Sequence, residues 1–126
     1  MYNKPYLNST DLIDRVAEIT DDGFEWTDIK PIDISDDDDA IYDEFEMLAN
    51  AISSGSGYNT EWDNGVTLIN EYEFSDHIRH EFIELGLVTS ESLEWIVIDW
   101  EATANKQMYE YKEIELQGTT YYIKVN

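Results

Sequence analysis

The sequence has no cysteine and no long apolar run, and each absence excludes a class of structure or chemistry. Without cysteine the chain has no disulfide, no thiolate ligand for a metal and no cysteine nucleophile. No apolar run approaches the roughly 18 residues that a membrane-spanning helix needs. Residues 1–10 also lack the basic and apolar regions of a secretory signal. These absences predict a cytoplasmic protein.

Basic residues are scarce: seven Lys and Arg stand against 29 Asp and Glu, for a net charge of −22. A domain that binds DNA or RNA needs a basic face to meet the phosphates, and an anionic membrane repels such a chain, so both partner classes are excluded. Hydrophobic residues still make up 42% of the 126 residues, enough to bury one core. The composition predicts one folded, very acidic domain over residues 1–126.

The acids are spread along the chain and do not form a tail. Residues 1–60 carry 15 acids and 3 bases, and residues 61–126 carry 14 acids and 4 bases. The only acidic run, Asp36 to Asp39, stands between Ile34 and Ile41. Because like charges repel in a compact body, this excess predicts a specific use for the charge. Solubility or adaptation to high salt is the simpler alternative.

Apolar periodicity predicts about four short helices, two of them in the first half of the chain. The first follows the N-cap candidates Asn8-Ser9-Thr10 and ends at Asp22-Gly23. The second begins at Ser35 or Asp36, and the following apolar residues repeat with a period near 3.6: Ile41, Phe45, Leu48, Ala49 and Ile52. The serines and glycines of residues 53–57 then predict a loop and the hinge of the domain.

The other two helices are predicted within residues 75–104. Ser75 caps the third helix and Gly86 follows its end, where glycine is favoured, with three apolar residues on one face: Ile78, Phe82 and Leu85. The fourth helix opens at Thr89 or Ser90, although residues 95–98 would also suit a strand. Its predicted inward face consists of Leu93, Ile96, Val97, Trp100 and Ala104.

Extended segments are predicted at residues 24–34, interrupted by Pro31, and at Val66–Ile69. Two further segments, 109–116 and 119–125, are joined by Gln117-Gly118 and indicate a β-hairpin. The predicted fold class is therefore α+β, a small single domain with about four short helices, a C-terminal antiparallel β-hairpin and an acidic surface.

Patterns typical of enzymes and metal sites are weak. Residues 33–44 have the acid spacing of a calcium loop, but Asp38 occupies the sixth position, which requires glycine. His80-Glu81 matches the start of the zinc-protease pattern His-Glu-x-x-His, but Glu84 stands where the second histidine is required. His77 and His80 are therefore interpreted as surface residues. There is no glycine-rich phosphate loop, and 29 acids make any single carboxylate pair uninformative. We predict no enzyme activity, no metal and no cofactor.

The net charge matches that of a short DNA duplex. Duplex DNA carries one charge per about 1.7 Å, so 22 charges correspond to about 37 Å, or about 11 base pairs. Carboxylates three or four residues apart on a helix lie about 5–6 Å from each other, comparable with neighbouring phosphates. The acids of the second and fourth helices are therefore the predicted partner-binding residues: Asp36, Asp37, Asp38, Asp39, Asp43, Glu44, Glu46, Glu91, Glu94, Asp99 and Glu101.

A short motif in residues 75–126 is similar to one found in a known protein family. Glu91-Ser92-Leu93 is followed by Ile98-Asp99-Trp100-Glu101-Ala102 and later by the aromatic segment Tyr121-Tyr122-Ile123, and a helix ending in glycine precedes them. This order resembles the C-terminal part of ArdA-type antirestriction proteins. Members of that family are usually longer, and the resemblance does not extend to residues 1–74.

The resemblance implies a DNA mimic that occupies the DNA groove of type I restriction–modification enzymes and works as an elongated dimer. Glu91, Asp99 and Glu101 would be the matched acidic positions. A broader hypothesis is an ArdA-like or Ocr-like phage protein, acting in the host cytoplasm against another defence complex such as a CRISPR effector.

The sequence leaves three functions open. The first is a non-enzymatic DNA mimic that inhibits a host DNA-binding defence enzyme and contacts no nucleic acid itself. The second is an acidic adaptor that binds a basic protein without competing with DNA. The third is a domain whose charge serves only solubility or salt adaptation, which predicts that folding needs molar salt.

Overall fold

The computed structural model describes residues 2–21 and 36–126, with side chains from Asp38 onward in the second range. Each of the first two strands is followed by a pair of helices, and the last two strands follow each other directly. In chain order they are β1 Tyr6–Asn8, α1 Ser9–Asp21, α2 Asp36–Tyr58, β2 Thr67–Asn70, α3 Phe74–Glu84, α4 Trp100–Gln107, β3 Tyr111–Leu116 and β4 Thr119–Lys124. The extended segment predicted at 24–34 and the helix end predicted at Asp22-Gly23 lie outside the described residues.

The strands form one antiparallel sheet in the order β1-β2-β4-β3. The predicted hairpin is confirmed as β3 and β4, and its turn has a positive φ at both Gln117 (49°) and Gly118 (81°), as a two-residue hairpin turn requires. The sheet is larger than this hairpin, and the strand predicted at Val66–Ile69 is present as β2. β4 also pairs with β2, and β2 pairs with β1 through Leu7 and Leu68.

Helices cover part of each face of the sheet, so its strands do not alternate simply between buried and exposed residues, and Glu113 and Glu115 of the edge strand β3 remain exposed. One face packs with α1 and α2 around a core that includes Leu12, Leu48, Trp62 and Tyr121. The other face packs with α3 and α4 in a smaller cluster: Ile69, Phe74, Ile78, Ala104 and Tyr111. Consecutive residues of β2 therefore point into different cores, and Leu68 and Ile69 are both buried.

The loop predicted at residues 53–57 is wrong, because α2 continues through them to Tyr58. The hinge predicted in the same segment stays a prediction. Gly55 lies against the ring of Trp62 so closely that a Cβ atom at this position would overlap it. Trp62 is buried, and Ala51, one turn earlier on the helix, is buried as well. Packing against the tryptophan therefore keeps these serines and glycines helical despite their low helix propensity.

The third helix is confirmed, although it begins at Phe74 and Ser75 is not its N-cap. The predicted glycine end is also confirmed: Gly86 has a φ of +74°. The N–H groups of Leu87 and Gly86 donate to the carbonyls of Phe82 and Ile83, as in a Schellman motif. Leu85, predicted to face inward, instead lies past the helix and is exposed.

The fourth helix is much shorter than predicted. Ser92–Glu94 form a single 3₁₀ turn, residues 96–99 are neither helix nor strand, and α4 begins at Trp100. Ile96, Val97 and Ile98 are β-branched and therefore poor helix formers. Asp99 is the N-cap of α4, its carboxylate accepting from the Ala102 N–H at 3.1 Å. The inward positions predicted for Ile96 and Val97 are wrong, because both side chains are exposed.

These elements confirm the α+β class, with four α-helices and a four-stranded antiparallel sheet in the described residues. Among those residues, no helix has the length and apolar character needed to cross a membrane.

Candidate polyanionic surface

Helix α1 presents a row of four acids that the sequence analysis did not single out. Asp11, Asp14, Glu18 and Asp21 are all exposed, and their spacing of i, i+3, i+7 and i+10 places them along one side of the helix. That side faces away from Leu12 and Ile19, which are buried in the core. The row is about 15 Å long from the helical rise, a length over which one DNA strand carries about four phosphates.

Helix α2 carries the first group of predicted acids. The backbone of Asp36 and Asp37 forms its first turn, followed by the exposed Asp38 and the half-buried Asp39. Asp39, Asp43 and Glu46 are spaced i, i+4 and i+7 and form a second row, with Asp43 and Glu46 exposed. This row is about 10 Å long and lies opposite the buried Leu48 and Ala51.

Glu44 lies on a different side of α2 from this row and links the two helices. Its carboxylate accepts from Arg15 Nε at 2.6 Å and from Arg15 Nη2 at 3.3 Å, and Tyr2 donates its hydroxyl hydrogen to it at 2.8 Å. The guanidinium lowers the pKa of Glu44, and the hydrogen bond from Tyr2 acts in the same direction. The Glu44 side chain is only 15% exposed. Glu44 was predicted to bind a partner, but in this structure it joins α1 to α2.

Arg15 is held by acids on both helices. Besides Glu44, its Nη1 contacts the Glu18 carboxylate at 3.1 Å, and these carboxylates raise the pKa of the guanidinium. Lys4 borders the same shallow groove as Asp11 and Asp14. In the described part of the chain, the four acids of the α1 row therefore have two bases near them, Lys4 and Arg15, and Arg15 is shared with Glu44, so the row keeps a net negative charge.

The second group of predicted acids lies around the start of α4. Glu91 precedes the 3₁₀ turn that contains Glu94, Asp99 caps α4, and Glu101 stands in its first turn. All four are exposed. The single helix that would have aligned them is not formed, so they do not make the regular row predicted from the sequence.

The structure does not bring the two predicted groups together. Helix α2 packs with α1 on one face of the sheet, whereas α3 and α4 pack with each other on the opposite face. The two rows on α1 and α2 do lie on the same side of the molecule, because both helices cover the same face and both rows point away from the buried residues.

Carboxylates also contribute to the raised pKa values of two tyrosines on the other face of the sheet. Burial raises the pKa of Tyr111 to about 12, and the nearby Glu81 and Glu110 add to that increase. Burial likewise raises the pKa of Tyr122, with Glu113 and Glu71 contributing. A phenolate would be a further negative charge among carboxylates, so the neutral form is favoured.

The two histidines pair with acids one turn away on α3. His77 Nε2 lies 3.3 Å from Glu81 and His80 Nδ1 lies 3.7 Å from Asp76. His77 also contacts the Tyr6 ring, at 5.8 Å between centroids. In the described part of the chain, no three His, Asp or Glu side chains are grouped so that they could hold a metal ion.

Comparison with protein-family models, curated proteins and solved structures finds no match for this chain. The resemblance to ArdA-type proteins therefore stays a prediction. The α1 row is the main element of the surface that the sequence analysis missed, although its i, i+3, i+7, i+10 spacing is visible in residues 11–21. Unlike Asp36 to Asp39, these acids are not consecutive, so they do not stand out as an acidic run.

Proposed function

We propose that the chain is a non-enzymatic DNA mimic that inhibits a host DNA-binding defence enzyme by occupying its DNA-binding groove. The observation that carries this proposal is the pair of acidic rows on neighbouring helices: Asp11, Asp14, Glu18 and Asp21 on α1, and Asp39, Asp43 and Glu46 on α2. No carboxylate among the described residues is fully buried, so nearly all of that charge reaches the surface.

The rows suit a basic groove because they are fixed in place before binding. Helix α1 is held by Leu12 and Ile19 in the core, and the contact of Arg15 with Glu44 ties it to α2. A basic groove gains affinity by releasing the counterions of a polyanion, and it can do so with carboxylates as well as with phosphates. The carboxylate surface presents no phosphodiester to cleave, so binding would block the enzyme.

The target class follows from the same chemistry. A type I restriction–modification enzyme and a CRISPR effector both hold nucleic acid in a positively charged channel. Such an enzyme acts in the cytoplasm, which is where we place the inhibitor. A homodimer would lengthen the mimicked duplex, as the resemblance to ArdA-type proteins implies.

The test is inhibition of DNA binding by a purified type I enzyme and by a purified Cas9-type effector. Two triple variants each neutralise three acids of one row: D14N/E18Q/D21N on α1, which leaves Asp11, and D39N/D43N/E46Q on α2. The matched control, D76N/E81Q/E84Q, neutralises three acids of α3, on the opposite face of the sheet. We expect each triple variant to raise the inhibition constant roughly tenfold, since three surface charges at about 0.5 kcal/mol each amount to about 1.5 kcal/mol, close to the value of about 1.4 kcal/mol for a tenfold change. The control should change it less.

Two results would contradict the proposal. One is the absence of inhibition of either enzyme by the wild-type chain. The other is that the chain binds a basic protein, that duplex DNA does not displace the chain from it, and that only one local group of acids is needed for this binding. That second result would identify the chain as an acidic adaptor.

A further inference from the structure

The connection between α3 and α4, residues 85–99, exposes an unusual amount of apolar surface. Trp95 is 83% exposed and Val97 is 99% exposed. The same connection carries most of the large exposed hydrophobic side chains of the described residues: Leu85, Leu87, Trp95, Ile96 and Val97. Single exposed hydrophobics are common on proteins, but an apolar group surrounded by polar residues marks an interaction site.

Hydrogen bonds hold this connection in a defined conformation. Thr89 and Ser92 bond reciprocally, the backbone N–H of each donating to the hydroxyl oxygen of the other at 2.9 and 3.0 Å. The N–H groups of Trp95 and Ile96 both donate to the Ser92 carbonyl. The Phe82 and Trp100 rings meet edge to face at 5.9 Å and fix its two ends. The segment that carries the apolar side chains is thus already ordered, so binding a partner costs it little conformational entropy.

The charge around this segment determines what can cover it. Residues 80–105 contain no lysine or arginine, but they contain six acids: Glu81, Glu84, Glu91, Glu94, Asp99 and Glu101. A second copy of the chain, docked through the same face, would bring two such sets of carboxylates together and be repelled. A complementary occupant must combine an apolar cleft with basic residues at its rim.

We propose that Trp95, Ile96 and Val97 form a second docking surface, for a protein partner that offers an apolar cleft bordered by Lys and Arg. Tryptophan is among the residues that contribute most to binding when it enters such a cleft. This surface belongs to the α3–α4 side of the sheet, away from the acidic rows of α1 and α2. It therefore stands independently of the proposed DNA mimicry.

The test uses a defined probe, a fluorescently labelled 18-residue amphipathic helical peptide of Lys and Leu. A Lys and Ser peptide of equal charge is its control. At 0.05 M NaCl both peptides should bind, because the whole chain is acidic. At 0.5 M NaCl, where exposed charges are screened, only the Lys and Leu peptide should remain bound, as measured by fluorescence anisotropy.

Substitutions then locate the salt-resistant binding. W95S/V97S should weaken it at least tenfold, and both side chains are exposed enough that the fold should be kept, which circular dichroism checks. Tyr109→Ser, which removes a 79%-exposed ring beyond the far end of α4, should leave it unchanged. Equal binding by wild type and W95S/V97S would overturn the proposal. So would sedimentation of the wild type as a dimer that W95S/V97S converts to a monomer, because the occupant would then be a second copy.

Discussion

At the scale of single residues, Glu44 is an acid whose charge stabilises the fold, whereas exposed acids such as Glu18 remain accessible to a partner. Both Glu44 and Glu18 contact Arg15, but Glu44 is the more buried of the two, and it also accepts a hydrogen bond from Tyr2. We expect Glu44→Gln to lower the free energy of unfolding by about 1–2 kcal/mol, because it leaves a half-buried guanidinium without its main partner. The matched variant Glu18→Gln removes the same charge from an exposed site and should cost less than about 0.5 kcal/mol. Denaturant titration measures both, and equal costs would contradict the structural role of Glu44.

Gly55 and Gly57 stand two residues apart on α2 in different surroundings. A Cβ at Gly55 would overlap the buried Trp62 ring, whereas a Cβ at Gly57 meets nothing within 4 Å. Gly55→Ala should therefore destabilise the fold by about 1–3 kcal/mol, as overpacking does. Gly57→Ala should be neutral or stabilise it by up to about 1 kcal/mol, because alanine is the better helix former. Thermal unfolding of the two variants should thus give opposite signs, and a stabilising Gly55→Ala would contradict the packing described.

Tyr111 predicts how stability responds to alkaline pH. Its pKa is raised to about 12 in the folded chain by burial and by nearby carboxylates, against 10.0 as the reference value. The stability that this shift contributes is fully present below pH 10 and is lost as the pH rises towards about 12. Tyr111→Phe keeps the ring and removes the ionisable group, so its unfolding free energy should fall less steeply over that interval. Parallel slopes for the two proteins would contradict the assigned shift.

At the scale of elements, Asp99 has a structural role besides its predicted role in binding. Its carboxylate caps α4, so Asp99→Ala should cost about 1 kcal/mol of stability. Asp99→Asn keeps a capping oxygen while it removes the charge, and should cost little. Denaturant titration of both variants distinguishes the cap from the charge. A large loss of stability in Asp99→Asn would show that the charge itself holds the helix start.

The elements that follow clear periodic patterns could be predicted from the sequence, and those decided by tertiary packing could not. The start of α2, α3 with its glycine end, and the β3–β4 hairpin follow from apolar spacing and turn residues. Strand β1 is only three residues long and is defined by its pairing with β2. The helical end of α2 depends on Gly55 meeting Trp62, a contact between residues seven positions apart that no local propensity indicates.

The predicted partner-binding residues also fall into a group that the sequence could place and a group that it could not. The acids of α2 could be placed on an exposed helix face from their spacing alone. The acids around α4 were assigned to one long helix because residues 93–104 contain apolar residues at helical intervals. The β-branched residues 96–98 and the Asp99 cap instead delay the helix to Trp100. The apolar residues that would have faced inward are left exposed, and they form the second docking surface proposed above.

At the scale of the whole molecule, a net charge of −22 predicts how stability depends on salt. Raising NaCl from 0.1 to 1 M shortens the Debye length from about 10 to about 3 Å, which weakens repulsion among surface carboxylates. We expect the chain to be folded at 0.1 M NaCl and to gain stability with added salt. The variant D14N/E18Q/D21N should gain less, because it has fewer charges to screen. Circular dichroism during thermal unfolding gives both values, and an unfolded chain at 0.1 M NaCl would favour salt adaptation as the role of the charge.

The central claim is that the acidic rows occupy a groove made for DNA, and equilibrium competition tests it most directly. A purified type I restriction enzyme is held at fixed concentration while the inhibition constant of the chain is measured at increasing concentrations of a duplex containing the enzyme's site. If the two compete for one groove, the apparent inhibition constant rises linearly with the DNA concentration, from the value measured without DNA. An apparent inhibition constant that stays the same at every DNA concentration would mean that the chain binds elsewhere, and would contradict the account.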